Sequence, residues 1–179
     1  MDFSNENLLI VYLSAFLLLL AVAAFSIFRQ ILKTQRIESS LKRLEKKLKN
    51  ESGTVEEYYE LGSIYLDKKL YVQAVVMLQK ALKTDGLEPA EVAPIHNALG
   101  YAYFGQDQYD LAIRKYKEAI KLEPEYVMAM NNLGHAYEQK KMTAQALDMY
   151  EQALALQPKN ETAQRLSDSL RRRLVVSSK

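Results

Sequence analysis

The segment Leu99-Gly100-Tyr101-Ala102-Tyr103 recurs further along the chain as Leu133-Gly134-His135-Ala136-Tyr137. The same shift relates further pairs: Ala112 and Ala146, Tyr116 and Tyr150, Ala119 and Ala153, and Pro124 and Pro158. An earlier copy stands upstream of the first segment and consists of Tyr58, Leu61, Gly62, Tyr65, Ala74, Leu78 and Ala81. About four extra residues near 85–89 lengthen the turn that follows it. A repeat of this kind predicts stacked units that share one continuous core.

The spacing and residue types match the tetratricopeptide repeat (TPR), a helix–turn–helix unit of about 34 residues. Tyr58, His96 and Met130 take the place of the Trp in that pattern. Gly and Ala let helix A and helix B of one repeat approach closely, Leu or Tyr fills the space between layers, and Pro ends helix B. The predicted pairs lie near 55–68 with 71–84, 92–105 with 108–121, and 126–139 with 142–155. The predicted fold is an all-α, three-repeat TPR α-solenoid.

The repeats are predicted to occupy 54–158, as units of about 54–87, 92–125 and 126–159. Thr54 and Glu57 form a predicted capping box after a boundary near residue 53. Asn160 is expected to cap a final helix that reaches about Leu174, within a capping helix and tail at 159–179. Its polar face, with Arg171-Arg172-Arg173, suits a helix that solvates the end of the stack.

Residues 8–28 form an uncharged apolar run that follows an acidic tail, 1–7. A helix of that length spans about 31 Å, which matches the hydrocarbon core of a bilayer. A cleavable signal peptide is the alternative, since Ala21-Val22-Ala23 resembles a cleavage site. Signal peptides begin with basic residues and have shorter apolar stretches, so the sequence favours a single N-terminal transmembrane helix with the lipid bilayer as partner.

A basic segment, 29–53, follows this run. It predicts that the C-terminal side stays cytoplasmic, or stromal in a plastid. Anionic-lipid contact is expected from Arg29, Lys33, Arg36, Lys42 and Arg43. Ile37, Leu41, Leu44 and Leu48 form a heptad stripe of barely two heptads on a helix that can continue from the span. This is too short to argue for a coiled coil, and the oligomeric state stays open.

Composition restricts the function. The chain has no cysteine, so disulfides, thiolate metal sites and cysteine nucleophiles are excluded. Residues 51–179 carry 16 Lys or Arg and 18 Asp or Glu, and this mildly acidic balance gives no reason to expect a nucleic-acid partner. The sequence holds no phosphate loop, nucleophile elbow or zincin motif. Neither an enzyme nor a cofactor is expected.

The A helices of a TPR stack line its concave face, which suggests a protein-binding site. The candidate residues are Tyr59, Ser63, Asn97, Tyr101, Phe104, Asn131 and His135. Asparagine can pair with both polar groups of a peptide backbone, and aromatic residues offer contact area at low entropy cost. Alternatively, Tyr101 and Phe104 merely pack against the neighbouring A helix. TPR domains that hold chaperone C-termini use basic residues at places where this chain has Tyr59, Ser63, Asn97, Met128 and Asn132, so a carboxylate ligand is not expected there.

Two sequence blocks, 57–69 (EYYELGSIYLDKK) and 131–138 (NNLGHAYE), follow an apolar span with an Arg29-Gln30-Ile31-Leu32-Lys33 exit. In this order they resemble the cyanobacterial and plastid TPR proteins of photosystem I assembly, the family of hypothetical chloroplast reading frame thirty-seven. The resemblance covers nearly the whole chain. It implies a thylakoid protein that binds photosystem I subunits or assembly intermediates as an assembly or stability factor. A receptor for soluble clients or chaperones and a stoichiometric structural subunit are the alternatives.

Overall fold

The computed structural model describes residues 5–177, with side chains from 10 to 174, as eight α-helices without a strand in that range. The predicted tail 1–7 and residues 178–179 therefore lie wholly or partly outside the described residues. The described chain divides into two compact units, one ending at Lys46 and the other beginning at Lys47. The predicted all-α TPR solenoid is confirmed.

Helix α1 (Asn5–Asn50) is continuous from the apolar run into the basic segment, as the sequence allowed. Its apolar window has a mean hydropathy of 2.6, and none of it is buried. By length and composition α1 is the one helix among the described residues that could cross a membrane. It is therefore a candidate membrane span.

Six helices form three antiparallel pairs in the second unit, each an A helix followed by a B helix. The pairs are α2 (Val55–Asp67) with α3 (Tyr71–Ala81), α4 (Pro89–Phe104) with α5 (Tyr109–Leu122), and α6 (Val127–Gln139) with α7 (Thr143–Leu156). A last helix, α8 (Glu161–Ser177), follows them. The predicted capping box at α2 is present, and the Ala163 N–H donates to Asn160 Oδ1 at 2.9 Å, as expected of an N-cap.

The second pair begins three residues before the predicted start near residue 92, because helix α4 begins at Pro89. The fixed φ of proline and its missing N–H suit the first helical position. Glu88 and Glu91 form a capping box around it. Part of the insertion is therefore an added first turn of α4, and the rest forms a turn in which Gly86 has a φ of 77°.

Each A helix touches its B helix at a glycine. A Cβ on Gly100 would lie 2.5 Å from Tyr116 Cε1, and one on Gly134 would lie 2.6 Å from Tyr150 Cε1. Tyr116 and Tyr150 are fully buried. The aromatic ring therefore occupies the space that a side chain on the A helix would fill. Buried residues of the second and third repeats and of α8 form one apolar cluster, and Leu78, Ile95 and Leu99 belong to another.

Gly134→Ala tests this packing. The new methyl group must displace the Tyr150 ring, an overpacking cost of about 1–3 kcal/mol that exceeds the helix-propensity gain of about 1 kcal/mol. The thermal unfolding midpoint of the detergent-solubilised chain, followed by circular dichroism, should fall by about 3–6 °C. In a Tyr150→Leu background the same change should cost much less, and an equal loss in both backgrounds would contradict the contact.

Candidate protein-binding face of the A helices

The A helices α2, α4 and α6 lie side by side, and their shared face holds the candidate residues. We call Tyr59, Ser63, Asn97, Tyr101, Phe104, Asn131 and His135, together with Met128, the A-helix face. Asn132 Nδ2 donates to Asn97 Oδ1 at 2.9 Å, and the rings of Phe104 and His135 have centroids 4.7 Å apart. These contacts join α4 to α6. They place side chains of the second and third repeats next to each other on this face.

Two apolar side chains of this face are exposed. Tyr101 is 47% exposed and Met128 is 59% exposed. The ring of Tyr71 meets that of Tyr101 edge-on, with 6.5 Å between the centroids. Exposed aromatic and methionine side chains supply the kind of area that partner proteins bury. Met128 was not among the predicted site residues, although its place early in the A helix could have indicated it.

The other predicted aromatic residues are more enclosed. Phe104 lies between His135 and Tyr109, at 4.7 and 5.3 Å between centroids, and packs against the apolar cluster. Tyr59 is half-buried beside the apolar cluster that contains Leu78, Ile95 and Leu99. The alternative of packing against a neighbouring A helix thus describes Phe104 better than Tyr101. Ser63 is half-buried and His135 is exposed.

The two predicted asparagines, Asn97 and Asn131, differ in the hydrogen bonds that their side-chain amides make. Asn97 is 8% exposed, its Oδ1 accepts from Asn132, and its Nδ2 lies 3.7 Å from Met128 Sδ. Asn131 is half-buried and donates to Asn160 Oδ1 at a long 3.4 Å, while its own Oδ1 has no hydrogen-bond partner within the described residues. An unsatisfied amide oxygen is costly, so rotation toward an incoming N–H would be favourable. That oxygen is buried, so a ligand N–H would reach it only after the Asn131 side chain rotates.

A shallow apolar cleft lies at the start of this face, between α2 and α4. It is lined by Val55, Glu56, Tyr59, Glu91, Pro94 and Ile95. The Glu56 and Glu91 side chains are exposed, so this end of the face is acidic. Burial is the main cause that raises the pKa of nearby Tyr126, and Tyr59 and Glu123 raise it further, so this phenol stays neutral.

The predicted lipid-contact residues lie on α1. Arg29, Lys33 and Arg36 are exposed and line one side of the helix with Phe25 and Ile37. Lys42 and Arg43 are exposed further along the helix. This arrangement of cations after an apolar stretch suits the headgroup region of a bilayer.

The described residues contain no group of three or more His, Asp or Glu that could hold a metal ion. His96 lies in the second repeat with its Nδ1 3.0 Å from Glu118 Oε2, and Lys115 pairs with the same carboxylate. Burial lowers the pKa of His96 from 6.5, Lys115 lowers it further, and Glu118 opposes them. His96 is therefore a packed, neutral residue of the repeat interior.

Three family models for the tetratricopeptide repeat match the chain, at residues 56–86, 100–141 and 127–160. The first TPR of Spaghetti (RPAP3), solved with an HSP90 peptide, aligns with a TM-score of 0.62 and 22% identity. That alignment covers 70% of this chain and 96% of the other. Together with the helix pairs and their glycine contacts, these matches define a TPR protein, a class of protein-interaction modules that are typically not enzymes.

The uncharacterized protein ycf37 of Cyanophora paradoxa is 36% identical over 128 residues, which are 71% of this chain and 74% of the relative. The TPR domain-containing protein PYG7, chloroplastic, of Arabidopsis thaliana is 37% identical over 122 residues, or 68% of this chain and 40% of that protein. The chain belongs to the ycf37 family.

The neutral state of His96 makes stability depend on pH. Because its folded pKa is lowered, the unfolded chain binds more protons below about pH 6.5, and stability is lost as the pH falls through this range. The urea midpoint of the solubilised chain should drop between about pH 7.5 and pH 5.5. His96→Met, which copies Met130 of the third repeat, should flatten the profile. His135→Gln should keep the wild-type dependence of the urea midpoint on pH. If His135→Gln flattens this dependence and His96→Met does not, the assignment of the pH effect to His96 is contradicted.

Proposed function

We propose that this chain is a membrane-anchored adaptor whose A-helix face binds a protein client, and that it assists the assembly or stability of photosystem I in the thylakoid membrane. The observation that carries the binding role is the exposure of Tyr101 and Met128 on adjoining A helices. Single exposed apolar residues are ordinary, but two on the face that TPR stacks present to partners favour a docking site.

The exposed apolar stretch of α1 supports the anchor. Leu17, Leu18 and Leu19 are 63–68% exposed, and burying them in lipid removes a large area of apolar surface from water. The cations Arg29, Lys33, Arg36, Lys42 and Arg43 then contact anionic lipid, and the positive-inside rule leaves the repeats on the stromal or cytoplasmic side. Anchoring in the client's own membrane raises the effective concentration of the binding face.

The photosystem I assignment rests on the family. The first and third repeats resemble those of the photosystem I assembly family, and this resemblance is the reason for proposing photosystem I as the client. The Arabidopsis relative is described as chloroplastic. The clamp places carry Tyr59, Ser63, Asn97, Met128 and Asn132, without a base among them. That absence disfavours a chaperone C-terminus bound in the manner of the carboxylate clamp.

Client capture tests the binding face. Full-length tagged chain, purified from solubilised thylakoid membranes, should recover photosystem I subunits. Tyr101→Ala with Met128→Ala should lower recovery about tenfold, because two central apolar contacts are lost. Val72→Ala with Val76→Ala is the matched control, since these residues of α3 are 64% and 45% exposed but lie outside the A-helix face.

Recovery of soluble chaperones alone would contradict the photosystem assignment. Equal recovery of photosystem I subunits by both double variants would contradict client binding at the A-helix face. Abundance equal to that of a photosystem core subunit would favour a structural subunit over an assembly factor, which should be far scarcer.

Fractionation tests the anchor. The full chain should stay with the membrane pellet after alkaline carbonate washing, and a chain that begins at Lys47 should be released. In sealed thylakoids the repeats should be digested by protease added from the stromal side. A full chain released by carbonate would contradict the membrane span, and protected repeats would contradict the orientation.

A further inference from the structure

Helix α8 occupies the place of an A helix in a fourth repeat. Asn131 Nδ2 on α6 donates to Asn160 Oδ1 at the start of α8, and Glu138 Oε2 on α6 lies 3.7 Å from Arg173 Nη1 near its end. The first pair joins the N-terminal parts of α6 and α8, and the second joins their C-terminal parts. Helix α8 therefore runs parallel to α6. The A-helix face therefore extends onto α8.

The side chains that α8 adds to this face include two arginines. Its buried side consists of Ala163, Ser167 and Leu170. The places equivalent to Asn131, His135 and Glu138, one repeat further on, are Arg165, Ser169 and Arg172. Both arginines are exposed, and Ser169 is half-buried between them.

These two arginines differ from their neighbours in having no carboxylate partner. Arg171 pairs with Glu151 at 2.7 Å and approaches Asp168. Arg173 pairs with the Glu138 carboxylate at 3.7 Å. Within the described residues neither Arg165 nor Arg172 forms an ion pair. They are thus guanidinium groups without an ion pair at one end of a face whose other end carries the exposed carboxylates Glu56 and Glu91.

We infer that Arg165 and Arg172 bind an acidic segment of the client, next to the apolar part held by Tyr101 and Met128. This inference rests on the proposed client-binding function and names the chemistry of the bound segment. A guanidinium group pairs with a carboxylate through two parallel N–H···O bonds, which gives both strength and orientation. Glu56 and Glu91 repel acids at the far end, so the acidic residues must lie at the α8 end of the segment.

A polypeptide fits this face better than a nucleic acid or a membrane surface. Nucleic-acid binding needs many phosphate contacts, on the order of 6–10 in typical proteins, and here two free guanidinium groups are available. The arginines also continue a line of aromatic, thioether and amide groups, which are the contacts that a peptide uses.

The test uses detergent-solubilised full-length chain and two pools of fluorescein-labelled peptides of about twelve residues, a length typical of groove-bound segments. One pool has apolar residues in its first half and Asp or Glu in its second half. The other has Asn or Gln in place of the acids. Fluorescence anisotropy should show about tenfold tighter binding of the acidic pool, and Arg165→Gln with Arg172→Gln should remove this preference. Arg171→Gln is the control and should retain it.

Equal binding of both pools by the wild-type chain would overturn the acidic preference, while the client capture described above could still succeed. Loss of preference in Arg171→Gln but not in the double variant would also overturn it. Vesicles that contain anionic lipid provide the last comparison. A double variant that binds these vesicles less well but keeps its preference for the acidic pool would show a lipid contact in place of a peptide site.

Discussion

The contact between a glycine of helix A and a large side chain of helix B determines the spacing of each repeat. In the second and third repeats a tyrosine ring fills the place that a Cβ would take, and in the first repeat a Cβ on Gly62 would lie 2.9 Å from Leu78 Cδ2. Because this contact uses one side of each A helix, another side stays available. The stacking that builds the core thus also presents a row of A-helix residues to solvent.

The residues of this row differ in how closely they contact a neighbouring A helix. Asn97 and Phe104 are engaged between adjoining A helices, where they fix the relation of one repeat to the next. Tyr101 and Met128 remain exposed, and Asn131 has an amide oxygen without a donor in the described part of the chain. Residues engaged between repeats and exposed residues therefore alternate along one face. Under the proposed function, a substitution at Asn97 is expected to change stability as well as binding, whereas one at Tyr101 is expected to change mainly binding.

Much of this architecture could be predicted from the sequence. The repeat period indicated the pairs, and Thr54, Glu57 and Asn160 indicated helix starts, since these signals depend on local chemistry. The start of α4 differs from the predicted one because Pro89 and the Glu88–Glu91 capping box make part of the insertion helical. The burial of Asn97 could not be read from repeat places alone, because it depends on Asn132 and Tyr126 of the next repeat. The sequence predicts that Arg171, Arg172 and Arg173 solvate the end of the stack, and the approach of Arg173 to Glu138 of α6 is visible only in three dimensions.

Photocrosslinking in intact thylakoid membranes tests the central claim most directly. A benzophenone amino acid is placed at residue 101 in one chain and at residue 72 in another, and the attached proteins are identified by mass spectrometry. Residue 101 should crosslink to a photosystem I subunit or assembly intermediate, and residue 72 should not. Crosslinks from residue 72 alone would show that the client binds the B-helix side, and the A-helix face would then not be the binding site.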